Sequence, residues 1–270
     1  MTDPVVLLLP GMTLNASIFP DFGMRSVTAD FTKLVVGSAG WSEELARKRM
    51  GFYVERLRER LRCDPTWSGA ARRIVVAHSF GGLLALAWQA DSSGEAEARI
   101  DGLVLAGTSA GPMYDAVRLR LFGGERWALR IPVTRLMRVW NHGGVTRAIA
   151  RLTVPGGNVT EVDFRRLAAR SDLAMGLAGW RNTDWRARRS YRLAMEGFDV
   201  RDRLRAITVP AIVLHGPRDS FFPLAAARDL AQRLPRGELR VVPGAAHGLP
   251  LTHGDHVLRA VRDILAANRR

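Results

Sequence analysis

Ile74-Val75-Val76-Ala77-His78-Ser79-Phe80-Gly81-Gly82-Leu83-Leu84 reads as a strand, a tight turn and a helix. The β-branched run from Arg73 to Ala77 suits a strand buried on both faces, and Leu83, Leu84, Leu86 and Ala87 continue at helical spacing. Ser79 falls on the turn between them. A serine in that position projects its hydroxyl from the edge of a sheet, and the turn requires small residues two before and two after it, supplied here by Ala77 and Gly81. The following helix directs its first N–H groups and the positive end of its dipole at the serine, which suits a developing oxyanion. The same stretch also fits a buried strand and helix in which the serine only caps the helix and the glycines serve packing. The choice between the two rests on whether an acid and a histidine follow at the ends of later strands.

Both are present. Asp219, in His215-Gly216-Pro217-Arg218-Asp219, comes directly after the apolar run Pro210 to His215, and His247, in Pro243-Gly244-Ala245-Ala246-His247-Gly248, comes directly after Glu238 to Val242. Taken singly, Asp219 fits a helix cap or a surface carboxylate, and His247 fits a solvated turn. Together they follow the order serine, acid, histidine, each just past the C-terminal end of its own strand, where a parallel sheet gathers distant loops into one crevice. On the N-terminal side, the strand Pro4 to Leu9 runs into Pro10-Gly11-Met12-Thr13, a turn at that same edge that can present the Met12 backbone N–H to the crevice.

Composition sets the class. The chain has 270 residues, 47% of them hydrophobic, enough for one large α/β domain, and it shows no internal repeat. Its apolar runs, such as Val5 to Leu9, are far short of the roughly 20 residues needed to span a bilayer. The N-terminus does not read as a signal peptide, so the expected location is cytoplasmic, with no membrane partner. Cys63 is the only cysteine, which excludes an internal disulfide and a cysteine metal cluster. The net charge is +14, and all basic residues except Lys33 and Lys48 are arginine. A base-composition bias that spells cations as arginine explains most of this; attraction to anionic partners is the functional reading. Nucleic acid is not an expected partner, since there is no recognisable binding motif and no basic tail.

Further along the chain, Ser26 to Ala29 reads as a strand, Ser42 as the N-cap of one long helix reaching Arg62, Asp101 to Ala106 as a strand, Leu224 to Leu234 as a helix and Asp255 to Ala267 as a closing helix. Between Ser109 and Glu196 the strand–helix alternation stops. Helical stretches are expected at Tyr114 to Phe122, Trp127 to Trp140 and Val162 to Leu177, separated by glycine pairs. Sixteen arginines against seven acids give this segment a net +9. The expected division is a core of residues 1–108 and 197–270 with a helical lid at 109–196.

With Ala77-His78-Ser79-Phe80-Gly81-Gly82, Asp219, His247 and the Pro10-Gly11-Met12 turn in place, the chain resembles the α/β-hydrolase superfamily over Val5 to Ala110 and Asp202 to the C-terminus. The resemblance implies an α/β fold: a mostly parallel sheet flanked by helices, here without the N-terminal antiparallel hairpin and with a helical lid insertion. It further implies Ser79 as nucleophile, Asp219 as acid, His247 as base, and the N–H groups of Met12 and Phe80 as an oxyanion hole. Pro10 stands where many members of the superfamily carry histidine. The activity implied is hydrolysis of carboxylic esters through an acyl-enzyme, with no cofactor and no metal. The alternatives are a thioesterase or acyltransferase acting on coenzyme A or acyl-carrier-protein thioesters, and a non-catalytic ligand-binding protein that kept the fold. Gly11, His78, Trp140, Trp180 and Trp185 are the candidates for contact with a small-molecule acyl ester, although His78 and His215 read first as structural. His142, His253 and His256 have no assigned role.

Overall fold

Alternation along short apolar strands builds two cores at once. In a computed structural model that describes residues 3–29, 31, 41–91, 95–112, 117–120, 128–131, 161–170, 172–181 and 183–267, the strands are β1 (Val5–Leu9), β2 (Arg25–Thr28), β3 (Arg73–His78), β4 (Gly102–Ala106), β5 (Val117–Arg120), β6 (Ala128–Ile131), β7 (Ala211–His215) and β8 (Gly237–Val241). The helices of four or more α-helical residues are α1 (Trp41–Lys48), α2 (Met50–Arg62), α3 (Pro65–Ser68), α4 (Phe80–Asp91), α5 (Glu161–Arg170), α6 (Asp172–Arg181), α7 (Trp185–Met195), α8 (Leu224–Arg233), α9 (Leu249–Thr252) and α10 (Gly254–Ala267). Six strands form one sheet in the order β2-β1-β3-β4-β7-β8, every neighbouring pair parallel. Because successive side chains of a strand point to opposite faces, Leu7, Leu9, Val75, Ala77, Leu105 and Val213 enter one core and Val6, Leu8, Val76, Val104 and Leu214 the other. Helices α2, α4 and α8 cover the first face, while Val257, Ala260, Val261 and Ile264 of α10 cover the second. A parallel sheet covered by helices on both faces is the expected α/β architecture, and it explains why its central strands read as unbroken apolar runs.

The register aligns the strand ends that matter. Leu9 pairs with Ala77, His78 with Ala106, Ala106 with Leu214, and His215 with Val241. The loops leaving β1, β3, β7 and β8 therefore depart from one edge.

Two expectations change. The long helix from Ser42 to Arg62 is two helices, broken at Arg49, whose backbone turns to φ 53° and ψ −123°, and Ser42 lies inside α1 rather than capping it. The Arg49 guanidinium donates to the carbonyl of Glu196 at 2.6 Å, a tertiary contact that periodicity does not register. The other change concerns the segment after Ser109. Where helices were expected at Tyr114 to Phe122 and Trp127 to Trp140, β5 and β6 pair antiparallel, with Val117 opposite Ile131 and Leu119 opposite Leu129. Val117 and Leu119 alternate with Arg118 and Arg120 at the period of a strand, and that local pattern prevails. The rest of both spans lies outside the described residues. The expected helix at Val162 to Leu177 is present as two, α5 and most of α6.

Candidate active site

Ser79 occupies the turn between β3 and α4 at φ 53°, a conformation that non-glycine residues rarely adopt and that costs on the order of 1–3 kcal/mol. The surroundings hold it there. Its N–H donates to the Ala106 carbonyl at 3.0 Å, and its own carbonyl accepts from the N–H groups of Gly82 and Leu83 and from the Thr108 hydroxyl at 2.9 Å. Gly81 permits the turn: a methyl group there would lie 2.1 Å from the Leu9 carbonyl oxygen. The Phe80 ring anchors the start of the helix among Phe31, Tyr53 and Tyr191, at centroid distances of 5.4, 5.2 and 5.0 Å. As the first residue of α4, Phe80 has an N–H with no intrahelical carbonyl to receive it. Gly11 and Met12 lie just beyond β1, so close that a Cβ on Gly11 would meet the Ser79 Cβ at 3.2 Å.

The structure brings Ser79, His247 and Asp219 into one chain of hydrogen bonds. His247 Nε2 is 3.0 Å from Ser79 Oγ, and His247 Nδ1 is 2.9 Å from Asp219 Oδ2. The second carboxylate oxygen of Asp219 accepts from the N–H groups of Phe221 and Phe222 at 2.8 and 2.9 Å, which fixes its orientation. Side-chain exposures of 7% for His247 and 1% for Asp219 take the pair out of bulk water. Burial works against charge on both, yet attraction outweighs it. The imidazole pKa is pushed down by burial but ends above its ordinary value because of the Asp219 charge and hydrogen bond and, further off, the Asp172 charge. Burial likewise lifts the Asp219 carboxyl, and the charge and hydrogen bond of His247 bring it below the usual carboxylate range.

His78 is buried directly behind this group. Its Nε2 donates to the His247 carbonyl at 2.9 Å, and its ring centroid is 4.8 Å from that of His247. Burial and the neighbouring His247 charge lower its pKa to about 3, so the ring is neutral and cannot exchange protons near pH 7. His215 donates similarly to the Phe222 carbonyl at 3.0 Å, with burial again lowering its pKa. Each ring thus spends its Nε2 on a loop carbonyl. Trp180 is buried in the core with the Arg188 guanidinium 5.9 Å from its ring. Trp140 and the Trp185 side chain lie outside the described residues.

Sequence reasoning missed Asp172. This carboxylate, 4% exposed, accepts from the His247 N–H at 2.8 Å through Oδ1 and from the Ser220 N–H at 2.9 Å through Oδ2. Both donors are backbone groups, which leave no trace in a sequence. Among the described residues no group of three or more His, Cys, Asp or Glu side chains is placed to hold a metal ion, and no helix is long and apolar enough to cross a membrane.

A profile of the family described as serine aminopeptidase, S33, matches residues 5–252, nearly the whole chain. The chain belongs to this family. The serine aminopeptidase S33 proteins are hydrolases, and the chain is an α/β-hydrolase-fold member of that group. Curated relatives match only in part. A non-heme chloroperoxidase from Burkholderia pyrrocinia is 42% identical over 69 residues, 25% of this chain and 24% of that protein. A pimeloyl-acyl-carrier-protein methyl ester esterase from Vibrio parahaemolyticus is 35% identical over 65 residues, 24% of this chain and 26% of the relative. The chain thus spans about a quarter of the length of these relatives. Among solved structures, the enol-lactonase from Burkholderia xenovorans LB400 superposes with a TM-score of 0.64 at 21% identity, covering 98% of this chain and 92% of that one, a likeness of fold.

Proposed function

We propose that this S33-family protein hydrolyses carboxylic esters through an acyl-enzyme on Ser79. The observation that carries the reading is the continuous relay Ser79 Oγ to His247 Nε2 at 3.0 Å and His247 Nδ1 to Asp219 Oδ2 at 2.9 Å, built at a strained turn facing a helix N-terminus. Asp219 holds the imidazole with its proton on Nδ1, so that Nε2 accepts the Ser79 proton as Oγ attacks the acyl carbonyl. The carbonyl electrons move onto oxygen, where the N–H groups of Met12 and Phe80 stabilise the oxyanion. Collapse expels the alcohol, which takes the proton from His247, and water repeats the sequence to release the acid. Beyond the ester and water, these steps use only groups of the chain. A small-molecule ester is the substrate, helix α6 belongs to the lid, and the protein is one of the cytoplasm.

Measuring turnover of p-nitrophenyl esters of graded chain length by wild type, Ser79→Ala and His247→Ala tests this. Loss of about 10⁴-fold or more in kcat for both variants supports the relay; a loss of a few-fold refutes it.

A second reading is a thioesterase or acyltransferase that takes its acyl group from coenzyme A or an acyl carrier protein. The net +9 of the 109–196 segment favours it, as does the carrier-protein substrate named for the Vibrio relative. Arg186 and Arg189 of α7 are exposed, and guanidinium groups suit phosphate.

A further inference from the structure

Helix α6 lies over the edge where the site is built and touches three of its loops. Its first residue is Asp172, whose two oxygens accept from the N–H of Ser220, next to Asp219, and from the N–H of His247 itself. At its other end Gly179 meets the turn after β1 so closely that a methyl group there would lie 2.3 Å from Thr13 Oγ1. Between these ends the Met175 sulfur comes close to the loop after β8, 3.2 Å from where a Cβ on Gly248, the residue after His247, would stand. A glycine inside a helix weakens it relative to alanine, and here it permits close approach.

An aspartate in the first turn of a helix ordinarily faces solvent and stabilises its own helix dipole. Asp172 does something else. It is buried, and it spends both oxygens on backbone groups of two other loops, 48 and 75 residues away in sequence. Burying a carboxylate is costly unless it is hydrogen-bonded, and those two amides supply the bonds. Burial raises its pKa, aided by the Asp219 charge and opposed by the charge and amide of His247 and by the Ser220 amide.

We propose that Asp172 is a positioning residue for the hydrolytic reaction, tying the His247 loop to the Asp219 loop and placing a second negative charge behind the imidazole. This rests on the reading of His247 as the base. The ionisable groups facing His247 are Asp219 from the loop after β7, His78 at the end of β3 and Asp172 from α6, with Ser79 in front and the Phe221 and Phe222 rings at 4.7 and 5.7 Å. His78 and His215 are neutral near pH 7 by the burial described above. Of the two negative groups, Asp219 fixes the ring and Asp172 fixes the backbone that carries it.

Asp172→Asn keeps the shape, removes the charge and turns its NH₂ toward one of the two amides, so that one tie is lost. The test follows the imidazole ¹⁵N resonances of His247 with pH by NMR, beside kcat, KM and the pH profile of kcat/KM, in wild type and Asp172→Asn. The expected result is a His247 midpoint moved to lower pH, an acid limb that moves with it, and kcat reduced by roughly 10- to 100-fold with KM little changed. An unchanged midpoint and an unchanged profile, with only lowered thermal stability, overturn the proposal and leave a merely structural carboxylate. The NMR midpoint needs no turnover, so it is separable from the parent reading, which fails instead if Ser79→Ala remains active. If Asp172→Asn does not fold, amide hydrogen exchange in the wild type decides. Slow exchange at both Ser220 and His247 upholds the ties, and fast exchange at both overturns them.

Discussion

Gly81 lies against Leu9 so closely that the Leu9 carbonyl oxygen occupies the space a side chain would need, 2.1 Å from where a Cβ would stand. The obstacle is backbone of β1, paired on both sides by β2 and β3, and cannot swing away. Gly81→Ala is expected to destabilise the fold by about 1–3 kcal/mol and to abolish activity by displacing Ser79. Gly51, exposed in α2 with nothing within 4 Å of the place a Cβ would take, is the control, and Gly51→Ala is expected to stabilise by about 0.5–1 kcal/mol. Urea unfolding of the two variants checks both signs.

Tyr53 and Ser190 join α2 to α7 through a buried hydrogen bond of 2.6 Å. The Ser190 hydroxyl donates to the Ala187 carbonyl at 2.7 Å, so the Tyr53 hydroxyl is the donor in the pair. Tyr53→Phe removes that donor and leaves Ser190 its other bond, costing about 0.5–1.5 kcal/mol, whereas Ser190→Ala strands a buried phenol and costs about 1–3 kcal/mol. Denaturant midpoints should rank Ser190→Ala as the less stable; the reverse order would place the donor on serine.

The pH dependence follows from the His247 and Asp219 shifts. His247 must be neutral to accept a proton, and its pKa is raised, so kcat/KM should fall on acidification with a midpoint above the ordinary 6.5. The stability signs differ between the partners. The lowered Asp219 contributes stability above its ordinary 3.8 that is lost as pH falls through its folded value, and the raised His247 contributes below 6.5 and loses it as pH rises through its folded value. Asp219→Asn should therefore destabilise most between pH 3.8 and 6.5, measured as the difference in thermal midpoint from wild type.

Salt separates the ester and carrier readings. If Arg186 and Arg189 receive phosphates, kcat/KM for an acyl-CoA should drop steeply as salt shortens the Debye length from about 10 Å at 0.1 M to 3 Å at 1 M, and Arg186→Ala/Arg189→Ala should reproduce the loss at low salt. A neutral p-nitrophenyl ester of the same acyl chain should respond to neither. Equal responses of the two substrates leave simple ester hydrolysis as the function.

Ser79 and Asp219 were legible because each follows a short apolar run, and His247 because it follows the alternating strand Gly237–Val241; a parallel sheet aligns the ends of such strands at one edge. The faces of β1, β3, β4 and β7 were legible for the same reason, since strands buried on both sides leave no polar alternation. Asp172 was not, being one of seven acids in a segment whose sequence loses the strand–helix alternation, with partners that are backbone amides of distant loops. The break at Arg49 escaped similarly, because the Glu196 carbonyl that receives its guanidinium is 147 residues away. The strand pair β5 and β6 was visible in the alternation of Val117 and Leu119 with arginines, yet the glycine-separated apolar stretches around it read more readily as helix.

The central claim is that Ser79 Oγ is the nucleophile, activated by the imidazole 3.0 Å away. Its most direct test is intact-protein and peptide mass spectrometry after incubation with a fluorophosphonate. The account predicts one phosphonyl group per chain, located on Ser79, with labelling abolished in Ser79→Ala and strongly slowed in His247→Ala. A protein that stays unlabelled, or labelling that persists in Ser79→Ala, would contradict it.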